Sequence, residues 1–233
     1  MSSFEQLHPA LQHHIVNSLG WNELRPLQDQ SVDVVLRGDH CLLLAPTAGG
    51  KTEAAMLPLL SRMLQQNWSG LTVLYVCPLK ALLNNLHERL EYYAKLVGRT
   101  CAVWHGDTLD SARNRIRQEP PDILLTTPES IEALLVSKNT DHRMLFRDLK
   151  TVVIDEIHAF AGDDRGWHLL CLLERLVGVC GHEIQRIGLS ATVGNPESLL
   201  NWLCGHCEGA SSIVVPEWKS LPSEVQLDYV GSI

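Results

Sequence analysis

Short apolar runs alternate with helical patterns along most of this chain. The apolar runs are predicted as buried strands at residues 41–45, 72–77, 101–104, 123–126, 152–155 and 187–189. Helical patterns lie between and after them at residues 52–65, 79–96, 111–117, 128–136, 167–179 and 196–203. Strands that are apolar throughout and separated by helices are typical of a covered parallel sheet. The pattern therefore predicts an α/β fold with a mostly parallel sheet and helices on both faces.

Three helical segments carry further expectations. The first helix is predicted at about residues 4–18, with Ser3 and Gln6 forming a capping box at its start. A second helix is predicted at about residues 26–37. The later segment 167–179 is apolar nearly all round, which predicts a buried core helix.

The same pattern divides the chain into three parts. Residues 1–38 form an N-terminal helical part, and residues 39–215 form the alternating α/β domain. Two strand-like pieces, 213–215 and 224–229, are separated by prolines. We therefore expect residues 216–233 to contain a final strand and the start of a linker.

Composition narrows the class of protein. Hydrophobic residues make up 45% and charged residues 20% of the chain, as in ordinary globular domains. No apolar run is long enough to span a membrane, and the N-terminus lacks a signal-peptide pattern. The seven cysteines are scattered along the chain. We therefore expect a cytoplasmic protein with reduced thiols. The net charge of -8 argues against a generally basic protein that coats nucleic acid. The protein can still bind nucleic acid locally, through backbone amides, hydroxyls and a few cations.

The first predicted strand leads into a phosphate loop. Glycines in such a loop let backbone amides turn toward phosphate oxygens, a lysine reaches the β- and γ-phosphates, and a hydroxyl holds Mg²⁺. The alternative, a chance turn, is less favoured because a strand precedes the segment and a helix follows it. The predicted nucleotide-binding residues here are Thr47, Ala48, Gly49, Gly50, Lys51 and Thr52, with Thr52 also a magnesium ligand.

A later strand ends in two carboxylates. Asp155 is predicted to hold Mg²⁺, and Glu156 is predicted to orient and deprotonate the attacking water. The plain alternative is a solvated acidic turn, but adjacent carboxylates near a phosphate loop favour a divalent cation. His158 is predicted to couple this segment to the nucleotide or to the motif that follows.

Residues 155–158, Asp-Glu-Ile-His, resemble the D-E-x-H box of superfamily-two helicases. Arg25 and Gln28 resemble the Q motif that reads adenine in that family. Four further family motifs have matches in the family order: Pro78 and Lys80 in motif Ia, Gly106 and Asp107 in the G-D pair, Thr127, Pro128 and Glu129 in motif Ib, and Ser190 and Thr192 in the S-A-T motif. Residues 158–169, which include Arg165 and Gly166, resemble the large helicase-related (Lhr-type) branch. In the phosphate loop, Ala48 and Gly49 replace the usual Gly and Ser.

The resemblance implies a RecA-like ATP-binding domain over residues 39–215, with ATP and Mg²⁺ as ligands. It implies that Arg25 and Gln28 contact the nucleotide and that Ser190 and Thr192 couple hydrolysis to movement. The implied partner is a single strand of nucleic acid, along which the motor moves in the 3′-to-5′ direction. DNA is weakly favoured over RNA, and the choice stays open on the sequence alone. The residues implied to grip the strand are Pro78, Lys80, Gly106, Asp107, Thr127, Pro128, Glu129, Arg165 and Gly166.

The family also implies a second RecA-like domain of the same polypeptide, which supplies arginine fingers. Nothing after Thr192 resembles the motifs of that domain, so we expect this chain to be an incomplete motor.

Other functions remain open on the sequence alone. The main alternative is a nucleotide-dependent clamp or switch that binds nucleic acid without unwinding it, although such a protein has no need of Glu156. A small-molecule phosphotransferase with a P-loop is disfavoured, since it has no use for the later motifs. A zinc site is less favoured than ordinary thiols in loops or in the core, because its candidate ligands lack a second close pair. The candidate ligands are Cys180, His182, Cys204, His206 and Cys207.

Overall fold

A single parallel sheet forms the centre of the protein. The computed structural model describes residues 2–46, 48–205 and 207–217. Its seven strands are ordered β3-β4-β2-β5-β6-β1-β7, and every neighbouring pair is parallel. The α/β prediction is therefore confirmed. The strands are β1 His40–Leu44, β2 Val73–Val76, β3 Cys101–Trp104, β4 Ile123–Thr126, β5 Thr151–Ile154, β6 Gln185–Ser190 and β7 Ser211–Val214.

Helices precede the sheet and connect its strands. A short 3₁₀ turn, Ile157–Ala159, follows β5. The predicted segment 224–229 lies outside the described residues. The helices are α1 Ser3–Gln6, α2 Pro9–Asn17, α3 Pro26–Arg37, α4 Lys51–Gln65, α5 Lys80–Leu96, α6 Asp110–Gln118, α7 Pro128–Val136, α8 His142–Phe146, α9 Asp164–Cys180 and α10 Pro196–Cys204.

The prediction of one continuous helix at residues 4–18 is wrong. The chain instead forms α1 and α2, and the capping box at the start of α1 uses Ser2 and Glu5. Pro9 explains the break, because proline cannot donate to a helical hydrogen bond and pushes the residue before it into extended backbone. His8 accordingly has φ -59° and ψ 135°, and Pro9 begins α2.

Two apolar clusters cover the two faces of the sheet. Side chains of α1 to α5 pack with one set of strand residues, and side chains of α6 to α10 pack with the alternate set. In β1, for example, Leu43 belongs to the first cluster, whereas Leu42 and Leu44 belong to the second. Successive strand residues point to opposite faces, so one apolar strand serves both layers. The N-terminal helices share the first cluster with the sheet; the predicted domain boundaries themselves stay predictions.

The prediction that segment 167–179 is a buried core helix is wrong. Helix α9 buries one stripe, which includes Leu169, Leu172 and Leu176, against the sheet. Trp167 at its start is 64% exposed. An outer helix of a layered α/β fold has only one covered face, so its apolar residues on the other face remain at the surface.

The strand order separates the loops at the carboxyl edge of the sheet into two groups. Strands β1, β6 and β5 are neighbours, and the loops after them carry the phosphate loop, the S-A-T segment and the carboxylate pair. Strands β2, β4 and β3 are neighbours, and the loops after them carry the three segments predicted to grip a strand. No helix in the described part of the chain is both long and apolar enough to cross a membrane. The cytoplasmic location stays a prediction.

Candidate functional sites at the carboxyl edge of the sheet

The loop between β1 and α4 turns its backbone toward an open cleft. Ala48 and Gly50 have positive φ angles of 64° and 78°, and the amide of Gly49 donates to the Pro46 carbonyl. Gly50 is the N-cap of α4 and makes no side-chain capping bond. The first amides of a helix lack intrahelical partners, and here they add to the partial positive charge of the helix start. This geometry suits a phosphate group. Thr47 lies outside the described residues.

Lys51 places a buried ammonium beside this loop. The side chain is only 8% exposed, and Nζ donates to the carbonyl oxygens of Ala45 and Pro46 at 3.0 and 3.4 Å. Among the described residues, no carboxylate lies within ion-pair distance of this ammonium. A buried ammonium whose partners are neutral carbonyls still needs a counter-ion, and phosphate oxygens would supply one.

Asp155, just after β5, is the buried acid of the same cleft. Its Oδ2 accepts a hydrogen bond from the Tyr75 hydroxyl, and its Oδ1 accepts one from the Glu156 amide, both at 2.9 Å. Burial raises the pKa of the Asp155 carboxyl, and the nearby Glu156 charge raises it further, while the Tyr75 bond and the Lys51 charge oppose the shift. A divalent cation would stabilise the ionised form of such a carboxylate.

Glu156 adopts a strained backbone conformation. Its φ of 46° and ψ of 44° lie in the left-handed region, which is uncommon for a residue with a side chain. The turn places its carboxylate in the cleft and 3.5 Å from His158 Nε2. Strain of this kind persists only where surrounding structure holds it, and it clusters at functional sites.

His158 joins the carboxylate segment to the S-A-T segment. Its Nδ1 lies 2.9 Å from the hydroxyl of Ser190, which is fully buried at the end of β6. The predicted coupling pair is thus split: Ser190 contacts His158, whereas Thr192 is exposed and does not line the cleft. His158 does not line the cleft either, but its Nε2 lies 3.5 Å from the carboxylate of Glu156, which does.

The cleft beside the phosphate loop, which we call the nucleotide cleft after its predicted ligand, has a volume of about 780 Å³. Arg25 donates to the Ala48 carbonyl, and Gln28 accepts a hydrogen bond from the Arg25 amide at 3.0 Å. These contacts connect the start of α3 to the phosphate loop. The predicted nucleotide-site residues that line the cleft together are Arg25, Gln28, Ala48, Gly49, Gly50, Lys51, Thr52, Asp155 and Glu156.

Sequence reasoning missed part of this lining. Arg89, from the middle of α5, donates from Nη2 to the Thr52 hydroxyl at 2.9 Å and lies 3.4 Å from Glu53. No local motif marks Arg89, because only the packing of α5 beside α4 brings it to the cleft. The other lining residues that were not predicted are Trp21, Asn22, Glu23 and Glu53.

A second cleft has a volume of about 640 Å³ and lies at the carboxyl ends of β2, β4 and β3. We call it the strand cleft, after the nucleic-acid strand that its residues are predicted to grip. Arg165 bridges two of its walls, donating to the Pro78 carbonyl at 2.9 Å and pairing with Glu129 at 2.9 Å. The residues predicted to grip a strand that line this cleft are Pro78, Lys80, Gly106, Thr127, Glu129 and Arg165.

Three predicted grip residues lie elsewhere. Asp107 stands beside the strand cleft and pairs with Lys80 at 3.1 Å. Pro128 is buried at the first turn of α7. Gly166 is buried against the segment after β5, where an added Cβ would lie 2.0 Å from the Phe160 carbonyl oxygen. Gly166 is therefore required for close packing of α9, which is a structural role.

The strand cleft also contains residues that were not predicted. Trp104, at the end of β3, and Arg113 and Arg117, on α6, line it together with His105. The one available signal was the basic character of α6, but alternating arginines on a helix cannot show which of them faces a cleft.

Two of the zinc candidates contact backbone groups in the structure. Cys180 Sγ donates to the Phe146 carbonyl, and the ring nitrogens of His182 contact the carbonyls of Cys180 and Leu149. A different trio, His40, Glu183 and Cys207, has ligand atoms within 4.8 Å of one another.

Both ring nitrogens of His40 are already engaged. The Arg186 amide donates to Nδ1, and Nε2 contacts the Glu208 carbonyl. All seven cysteines are free thiols, whereas His206 lies outside the described residues.

Comparison with known proteins places this geometry in a family. The DEAD/DEAH box helicase family model matches residues 25–199. The chain is 36% identical over 200 residues to the Lhr helicase/uracil glycosylase of Escherichia coli (strain K12), a match that covers 77% of this chain and 13% of that protein. It is 32% identical over 226 residues to the ATP-dependent helicase Lhr-Core of Methanothermobacter thermautotrophicus, covering 90% of this chain and 26% of that protein.

A solved structure agrees with these relatives. The structure of Mycobacterium smegmatis helicase Lhr bound to ssDNA and AMP-PNP matches with a TM-score of 0.84 and 32% identity, covering 93% of this chain and 28% of that chain. The chain thus spans 13% to 28% of the length of these proteins.

Proposed function

Because the chain belongs to the DEAD/DEAH box helicase family, in its Lhr-type branch, we propose that it binds ATP and Mg²⁺ and hydrolyses ATP to drive movement along single-stranded nucleic acid. The observation that carries this proposal is the convergence of Lys51, Thr52, Asp155 and Glu156 in one cleft. These side chains come from loops far apart in sequence. Their meeting supplies the parts that phosphoryl transfer to water requires.

Each of these residues has a role that follows from its position. Lys51 binds the β- and γ-phosphates together with the amides at the start of α4. The Thr52 hydroxyl and the Asp155 carboxylate would hold Mg²⁺, and the bound ion would neutralise charge on the phosphates. Glu156 orients the attacking water and accepts its proton. The Glu156 carboxylate in the cleft supports hydrolysis over a switch that only binds nucleotide, because binding alone needs no group that deprotonates a water.

We propose that the strand cleft follows the sugar–phosphate backbone of one strand. Lys80 and Arg165 supply positive charge there, and Thr127 stands at the start of α7, where the partial positive charge of the helix start suits a phosphate. The relative solved with ssDNA supports DNA over RNA as the track. Movement in the 3′-to-5′ direction is proposed from the family resemblance alone.

A second RecA-like domain of the same polypeptide is proposed to complete the motor. The short span of this chain relative to its curated relatives supports that proposal. An absent arginine finger can lower turnover by ~10³ or more. We therefore expect the 233-residue chain to bind Mg²⁺-nucleotide but to hydrolyse it slowly.

The test measures Mg²⁺-dependent binding of a fluorescent ATP analogue and ATP turnover, with and without single-stranded DNA or RNA. The chain should bind the analogue, Lys51→Ala should abolish binding, and Glu156→Gln should keep binding while losing the residual turnover. Absence of Mg²⁺-dependent binding would overturn the proposed function. Vigorous strand-stimulated turnover by this chain alone would instead overturn the need for a second domain.

A further inference from the structure

Two arginines of α6 stack on one aromatic ring in the strand cleft. The guanidinium carbons of Arg113 and Arg117 lie 5.7 and 5.0 Å from the centre of the Trp104 ring. Trp104 is only 5% exposed, so the ring is a fixed platform at the end of β3. Cation–π contacts of this kind hold a guanidinium in place and leave its charge intact.

Arg113 has a positioning role. Its Nη2 donates to the carbonyls of His105 and Gly106 at 3.2 and 2.8 Å and so holds the loop after β3. Its closest carboxylate among the described residues is Asp110, at 3.6 Å, and that carboxylate is almost fully exposed. Both bonds use Nη2 and fix the side chain to this loop, so Arg113 supports the cleft wall, while its buried Nε has no hydrogen-bond partner within the described residues.

Arg117 has a different set of partners. Its Nε donates to the Thr140 hydroxyl at 3.1 Å, and its Nη1 donates to the Asn114 side-chain oxygen at 2.8 Å. Both partners are neutral, and Arg117 forms no ion pair within the described residues. The other cations of this cleft differ in this respect, because Lys80 pairs with Asp107 and Arg165 pairs with Glu129.

We propose that Arg117 binds a backbone phosphate of the single strand, extending its track from the strand-end loops onto α6. The inference rests on the proposed function and adds a contact to it. A guanidinium that is already ordered by Trp104 loses little freedom when it binds, and neutral partners leave its positive charge for an anion. Because a phosphodiester is the same in every nucleotide, this contact adds affinity without sequence preference.

The salt dependence of strand binding tests this assignment directly. Each phosphate neutralised on a single strand contributes about 0.7 to the slope of log affinity against log salt. Arg117→Gln should therefore weaken binding of a fluorescein-labelled oligothymidylate to the 233-residue chain and reduce that slope by about 0.7. Arg117→Lys keeps the charge and should keep the slope.

Arg115→Gln is the matched control. Arg115 lies on the same helix and carries the same charge, but it is exposed and faces a groove beside α5 instead of the strand cleft. The control should retain the slope of the unaltered chain. Equal slopes for Arg117→Gln and the unaltered chain, or equal losses in Arg117→Gln and Arg115→Gln, would overturn the inference while leaving the proposed function intact. If the unaltered chain fails to bind the strand even at low salt, both are overturned.

Discussion

Asp155 shows how one residue can cost stability and still serve a site. Its pKa is higher in the folded chain than in the unfolded chain, chiefly because the carboxyl is buried. The folded state therefore binds the proton more tightly, so the stability linked to this group is present at low pH. That stability is lost as pH rises through the raised pKa, and at neutral pH ionised Asp155 destabilises the nucleotide-free fold.

We expect Asp155→Asn to raise the thermal midpoint of the nucleotide-free chain at neutral pH while abolishing Mg²⁺-nucleotide binding. The side-chain amide keeps the shape of the carboxyl. Its oxygen can still accept from the Glu156 backbone, and its NH2 group can donate to the Tyr75 oxygen, with the direction of that bond reversed. Each kcal/mol added to the free energy of unfolding should raise the thermal midpoint by about 2–4 °C in a domain of this size. Thermal melts over a pH series check this, since the gain should shrink as pH falls. A lower midpoint at neutral pH would contradict the account.

Tyr75 should set the pH at which the proposed Mg²⁺-dependent binding of nucleotide is lost. The Tyr75 hydroxyl donates to ionised Asp155 and so lowers the pKa of that carboxyl. We expect Tyr75→Phe to raise this pKa further, so that Mg²⁺-dependent binding of an ATP analogue fails at a higher pH as the solution is acidified. Tyr93→Phe is the control, because the Tyr93 hydroxyl contacts Glu53 instead of Asp155. Identical pH profiles for Tyr75→Phe and the unaltered chain would contradict this role.

At the scale of elements, α9 is fixed against the carboxylate segment by a close approach. Gly166 allows the first turn of the helix to lie directly on the Phe160 backbone, and Arg165 beside it reaches across to Pro78 and Glu129. The packing of one helix therefore connects the loop after β5 to the wall of the strand cleft.

We expect Gly166→Ala and Gly178→Ala, both on α9, to change stability in opposite directions. A Cβ at position 166 would lie 2.0 Å from a backbone oxygen, and such overpacking costs about 1–3 kcal/mol. At position 178 nothing lies within 4 Å of the added Cβ, so alanine should stabilise the helix by about 0.5–1 kcal/mol. Denaturant melts of both variants check this, and a neutral Gly166→Ala would show that Phe160 can move away freely.

At the scale of the whole molecule, the strand order gives the two clefts separate positions. The nucleotide cleft lies at the ends of β1 and β5, and the strand cleft lies at the ends of β2, β4 and β3. Within the described residues, no side chain lines both clefts. In this chain alone, binding at one cleft should therefore depend little on residues of the other.

We expect Lys51→Ala to leave strand affinity, measured without nucleotide, within about twofold of the unaltered chain, since distant sites are additive to within about 0.5 kcal/mol. Arg117→Gln should likewise leave nucleotide affinity unchanged within about twofold. Cross-titrations with the labelled nucleotide and the labelled oligothymidylate check both statements. Strong loss of strand affinity in Lys51→Ala would show that the two clefts are coupled within this domain.

The sequence by itself determined most of the strands and helices, and its motifs predicted the nucleotide site. Strand β3, strand β4 and helix α7 have the predicted bounds, because apolar runs and the proline at the start of α7 act within a few residues. The phosphate loop and the carboxylate pair were equally local, since their chemistry depends on adjacent residues. Even the break before α2 was encoded locally, by Pro9.

Only the tertiary structure decided which distant side chains meet. Arg89 reaches Thr52, Tyr75 donates to Asp155, and Arg117 stacks on Trp104 because non-adjacent strands pair and their helices pack beside them. Strand order is set by these long-range pairings, on which a local pattern carries no information. For the same reason the sequence placed Gly166 among the residues that grip a strand, whereas its surroundings in the fold give it a packing role.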